Sequence, residues 1–158
     1  MREIKFDDQF MKSEDKKWYR ASLRLSGDSL PIDEIETKLG LTARSVSKKG
    51  VPLNRYKSPI LNVPLETNVW CSKRLTEDDV PLENQIELYL EKLELKKDVL
   101  REILSLPDVE GEFFLGFSSE NGQGGAYFSA ELLKRVTDLG LALSLDLYPP
   151  SDFEKDNE

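Results

Sequence analysis

Between Phe128 and Tyr148 the sequence admits one reading, and that reading limits the folds open to the rest of the chain: a capped helix, a tight turn and a strand. Ser129 stands where a hydroxyl can cap the first turn, Leu132, Leu133, Val136 and Leu139 share one helical face, and Gly140 is placed for a left-handed stop. Leu141, Leu143, Leu145 and Leu147 then alternate with Ala142, Ser144, Asp146 and Tyr148. One face of this strand is wholly apolar and the other mixed, the pattern of a sheet covered by helices on one side. Pro149 and Pro150 end it.

Upstream, Trp18 to Ser26 alternates as cleanly, with Tyr19, Ala21, Leu23 and Leu25 on one side and Trp18, Arg20, Ser22 and Arg24 on the other, which predicts a first strand. Gly27-Asp28 turns the chain, and Pro31, Ile32, Ile35 and Leu39 ahead of Gly40 predict a short helix. From Leu41 to Asn68 no period is sustained, and Pro52, Pro59 and Pro64 interrupt any helix or central strand. Val69 to Leu75 reads as a short strand around Trp70. Pro81 opens a long helical pattern, from Leu82, Ile86, Tyr89, Leu90 and Leu93 to Val99, Leu100, Ile103 and Leu104. Its apolar phase slips around Glu94 to Lys97, so it is two helices or one bent helix, stopped by Pro107. Glu112 to Ser118 sets Phe113, Leu115 and Phe117 on one face, and Asn121-Gly122 predicts a hairpin turn into a weak return strand from Gly124 to Phe128.

The order strand, helix, strand, helical pair, hairpin, helix, strand predicts an α+β fold, a mainly antiparallel sheet with helices packed on one face, broadly ferredoxin-like. A chain of 158 residues suffices for one sizeable core, so a single domain is expected over 18–150, preceded by a polar arm over 1–17 and followed by a disordered acidic tail over 151–158. Several short motifs resemble one family: Leu39-Gly40-Leu41, Ser47-Lys48-Lys49-Gly50, Trp70 on its strand, Phe128-Ser129 before a helix, and Leu139-Gly140 with Asp146-Leu147-Tyr148. Together, over roughly Tyr19 to Tyr148, they resemble an uncharacterised bacterial family known as domain of unknown function 4279. The resemblance implies a small intracellular bacterial protein; it transfers no activity and no functional residue.

Histidine is absent, which removes the usual general base, the usual proton shuttle and the commonest zinc ligand together. Hydrolases built on Ser-His or Cys-His pairs are thereby excluded, and no enzyme, metal or cofactor is expected. The single cysteine, Cys71, cannot form an internal disulfide, in keeping with a reducing compartment. No run of 18 apolar residues and no signal-peptide core occurs, so a cytoplasmic protein is expected. The formal charge of -8 opposes general binding to nucleic acid or to an anionic membrane and attracts a basic partner.

Four candidate sites follow from spacing and charge. The cluster Asn121-Gly122-Gln123-Gly124-Gly125 lacks the lysine and the immediate helix of a phosphate loop and reads as a turn. Cys71 lies on a strand face with Lys73 and has no neighbouring base, so it reads as a structural thiol. Arg44, Lys48, Lys49, Arg55 and Lys57 stand between Leu41 and Ile60 with no acid among them. Arg44, Lys48, Lys49 and Arg55 could recognise an anion, or the segment could simply dock on the protein's own acidic surface. Glu83, Glu87, Glu91 and Glu94 recur at helical spacing away from Ile86, Leu90 and Leu93, as a solvated face or as a surface that meets a basic protein. The leading expectation is a non-catalytic protein-binding module, an immunity or antitoxin protein covering the active surface of a cationic toxin such as a nuclease encoded next door, with the glutamate row as its contact. The alternative is a sensory or small-molecule domain that binds an anionic ligand.

Overall fold

Residues 16–52 and 63–150 are described by a computed structural model. The apolar alternation at Ala21, Leu23 and Leu25 forms β1 (Lys17–Ser26), which lies at the middle of the sheet. The short helix α1 (Ile35–Leu39) ends at Gly40, whose φ of 68° is the left-handed conformation expected there. It leads to β2 (Ala43–Ser47) and β3 (Val69–Ser72). The long amphipathic pattern is two helices, α2 (Leu82–Glu94) and α3 (Lys97–Leu104), divided where the phase slips. Next come β4 (Glu110–Ser119), α4 (Ala130–Asp138) and β5 (Ala142–Leu147).

The strands form one sheet in the order β2-β3-β1-β4-β5. The first four are antiparallel throughout, with α1 in one crossover and α2–α3 in the other, which is the split β-α-β arrangement of ferredoxin-like folds. The α4–β5 unit adds a fifth strand parallel to β4. The fold is therefore α+β, as expected. One core fills the space between the sheet and the helices, with Trp70, Tyr89, Phe113, Leu23, Leu25 and Ile86 fully buried. Each such side chain contributes about 1.5–3 kcal/mol by leaving water.

Among the described residues the N-terminal half of β1 has no strand beside it on the β3 side, because β3 reaches only Arg24, Leu25 and Ser26. A row of side chains and one carbonyl takes over that edge. The Asp78 carbonyl accepts from the Tyr19 N–H at 2.7 Å, Gln85 accepts from the Ala21 N–H at 2.8 Å and donates to the Tyr19 and Val80 carbonyls, and Ser72 Oγ accepts from the Leu23 N–H at 2.9 Å. Buried backbone groups without partners are costly, so α2 contributes a polar residue where its periodicity would call for a leucine. Gln85 is only 2% exposed.

Three expectations need correction. No return strand forms over 124–128, because β4 already has β1 on one side and β5 on the other, leaving no free edge for a hairpin partner. The Leu41–Asn68 stretch contains a strand after all: β2 pairs with β3 through a bulge between Ala43 and Ser45, and this irregularity breaks the period-2 signal. The leucines of β5 are not all covered. Leu141 is buried and Leu143 partly so, whereas Leu145 and Leu147 are 58% and 68% exposed, because β5 is the sheet's edge and these two leucines border an open groove.

Candidate functional site

The glutamate row lies along α2 and faces α4. Ser129 caps α4 by accepting from the Leu132 N–H at 3.1 Å, Leu132 and Val136 are buried, and Arg135 is thereby directed toward α2. Arg135 donates to Glu87 at 2.5 Å and to Glu94 at 3.2 Å. Those bonds, Glu94 first and Glu87 second, push the Arg135 guanidinium above its ordinary value, so it stays charged. Glu83 and Glu91 have no ion-pair partner among the described residues. Two of the four predicted carboxylates are thus held internally and two are not. Between the helices lies a cleft of about 360 Å³ lined by Glu83, Glu87, Glu131, Arg135 and Tyr127. Three carboxylates there oppose one guanidinium, and the Tyr127 ring stands 76% exposed at the margin. Sequence spacing found the four glutamates but not Arg135, Glu131 or Tyr127, which come from distant elements.

The basic candidates are dispersed. Lys49, in the turn after β2, donates from Nζ to Asp28 at 2.7 Å, and that bond, with a second from Thr67, holds the Asp28 carboxyl below its usual value. Lys48 is exposed beside it, and Arg55 lies outside the described residues. Arg44 is elsewhere: it stands at the bulge of β2, near the start of the strand, and belongs electrostatically with Arg74 and Tyr148 rather than with the lysines. Of the three described residues, Arg44 therefore stands apart from Lys48 and Lys49.

Turning away from the helices, the sheet carries a second group that spacing alone did not assemble. Trp18, Arg20 and Arg24 of β1 and Phe114 of β4 share this face, which no element among the described residues covers, with the Arg20 and Arg24 guanidiniums each 4.2 Å from the centroid of an aromatic ring, Trp18 and Phe114 respectively. Arg24 also binds Glu112 at 2.6 Å, and Ser144 donates to the same carboxylate at 2.5 Å. Arg20 donates to Asp78 at 2.9 and 3.1 Å, and Arg74 pairs with the other oxygen of that carboxylate. Asp146 does not pair with Arg20 or Arg24, since β4 separates β5 from β1; its carboxylate instead, with burial, pushes the Tyr148 phenol above its ordinary value.

The glycine cluster is a turn with a packing role. Gly122 N–H donates to the Ser119 carbonyl at 3.1 Å and Asn121 Oδ1 accepts from the Gln123 N–H at 2.9 Å. Gly124, at φ 151°, lies so close to the Phe117 ring that a side-chain carbon would sit 2.3 Å from it. The segment then lines an apolar groove of about 340 Å³ with Phe117, Phe128, Leu145 and Leu147. Among the described residues no group of three carboxylates or thiols is arranged to hold a metal ion, and no helix is long and apolar enough to cross a membrane.

Fold and surface together define a small α+β domain of the split β-α-β type, extended by an αβ unit, with an acidic helical face and an uncovered sheet face bearing arginines and aromatic rings. The chain belongs to the family described as Domain of unknown function (DUF4279), which matches residues 16–150. No curated protein and no solved structure matches it.

Proposed function

We propose that the protein is a non-catalytic cytoplasmic binding module that docks a basic protein partner against α2 and α4, in the manner of an immunity protein that covers the active surface of a cationic toxin. The cleft lined by Glu83, Glu87, Glu131 and Tyr127 is the observation that supports this reading most directly, since it offers carboxylates and an exposed ring to a lysine or arginine side chain. Arg135 contributes by holding Glu87 and Glu94 in place, so that their orientation is set before a partner arrives. The overall charge of -8 adds long-range attraction for a basic surface, and the lack of histidine disfavours proton-transfer chemistry.

The experiment is co-expression with the product of the adjacent gene, followed by affinity measurement at low and high salt. A complex is expected whose association rate falls with salt. Changing Glu83 and Glu91 to Gln, which leaves the Arg135 pairs intact, should raise the Kd by roughly tenfold or more, about 1.4 kcal/mol. Failure to copurify, or binding indifferent to both substitutions and to salt, would remove this reading.

A further inference from the structure

The uncovered sheet face holds an arrangement that the protein-binding reading does not use. Arg20 and Arg74 share the single carboxylate of Asp78, and Arg44 has no hydrogen-bond or ion-pair partner among the described residues. The other acids close by are Glu77, which acts on Arg74, Glu36, whose carboxylate accepts from the Ala43 N–H next to Arg44, and Asp146, which acts on the Tyr148 phenol. Burial and the positive charge of Arg20 and Arg44 together press on the Arg74 guanidinium, lowering its affinity for its proton. Three guanidiniums at close quarters with one ion-paired carboxylate form a group that gains from a further anion, and guanidiniums favour the oxygens of a phosphate in paired, planar hydrogen bonds.

Beside them lie two rings. Trp18 and Tyr148 pack at 5.0 Å between centroids, tilted by 52°. Both rest above Gly116, where a side-chain carbon would come within 3.2 Å of the Trp18 ring and 3.5 Å of the Tyr148 ring. The missing side chain lets the rings lie low on the sheet, and Tyr148 remains 39% exposed. Arg44 lies in the bulge of β2 next to Ser45, which pairs with Cys71 and so, through Cys71, shares the face of Arg24; from there Arg44, like Arg20, bears on the Tyr148 phenol.

We propose that the centre of this face binds a phosphate monoester carried on a planar ring, the chemistry of a nucleoside monophosphate, with Arg20, Arg44 and Arg74 on the phosphate and Trp18 and Tyr148 against the ring. Asp78 is the internal anion that the phosphate replaces in part, and this gives the site a signature. Removing an arginine weakens binding, whereas removing the carboxylate strengthens it.

The second tryptophan, Trp70, is fully buried, so Trp18 is the fluorescent reporter of the face. Titration of the full chain with AMP, followed by tryptophan fluorescence and by calorimetry, should give saturable binding, with adenosine and inorganic phosphate each at least tenfold weaker. Arg44→Gln should weaken AMP by roughly ten- to hundredfold, the loss of one charge-assisted contact. Asp78→Asn, which keeps the backbone carbonyl used by Tyr19, should tighten it; thermal melting of both variants verifies that they are folded. Absence of saturable AMP binding, equal binding of adenosine or of inorganic phosphate, or an Arg44→Gln variant that binds like the parent would overturn the proposal. None of these outcomes bears on the α2–α4 face, which lies on the other side of the sheet.

Discussion

The two faces of the sheet are built from the same strands by different forces. On the helical face, Leu23, Leu25, Trp70 and Phe113 are wholly buried, and each is held by many weak contacts that no single substitution elsewhere replaces. On the other face, side chains are held in pairs and triplets: Arg20 with Trp18 and Asp78, Arg24 with Phe114 and Glu112, Trp18 with Tyr148. The first face carries the stability. The second can lose a contact and keep the fold, which is what a binding surface requires.

The widest gap between the faces should appear on truncating Phe113, which is 0% exposed and packs against Tyr89 at 5.5 Å between ring centroids. Phe113→Ala is expected to cost about 3–5 kcal/mol in urea unfolding, enough to leave a marginal domain largely unfolded. Next comes the polar seam beside β1. Gln85→Met preserves volume but strands the Ala21 N–H and two carbonyls, and should cost about 2–3 kcal/mol, an effect that a purely apolar account of α2 would not foresee. On the uncovered face, Arg24→Ala removes an ion pair and a ring contact that are both partly in water, and should change stability by less than about 1 kcal/mol. A cost like that of Phe113→Ala would erase the distinction drawn between the faces.

The smallest effect belongs to the exposed pair of Asp28 and Lys49. The Asp28 carboxyl is held below its ordinary value, so it favours the folded state above the unfolded aspartate range and loses that contribution as pH falls through its folded value. Lys49→Met should therefore return the Asp28 titration, followed by NMR, toward that of a free aspartate and flatten the acid limb of the stability curve slightly. An unchanged titration would show that Thr67, the second partner, suffices alone.

Much of the architecture could be read from local pattern. The Ser129 cap, the Gly140 stop at φ 77°, the alternation of β1 and the division of α2 from α3 all lie where the residues put them, because each depends on neighbours within a few positions. The glutamate row was visible for the same reason. Its arginine was not: Arg135 reads in sequence as an ordinary basic residue in the last turn of α4, and only the packing of α4 on α2 brings it to Glu87 and Glu94. A glutamine at a buried position of α2, where the period expects a leucine, was the one available hint of the β1 seam.

What the residues determine unaided is the sequence of elements and the face each must bury, since hydrophobic period and capping act over one or two turns. Strand order, the identity of the edge strand and the company kept by each charge are decided only in three dimensions. Leu145 and Leu147 show why: they alternate as core residues do, yet lie open to water because β5 is the last strand and they line an open groove with Leu82, Phe117 and Phe128. Burial is a property of what lies above a residue, and a local pattern states which side is apolar without stating whether anything covers it.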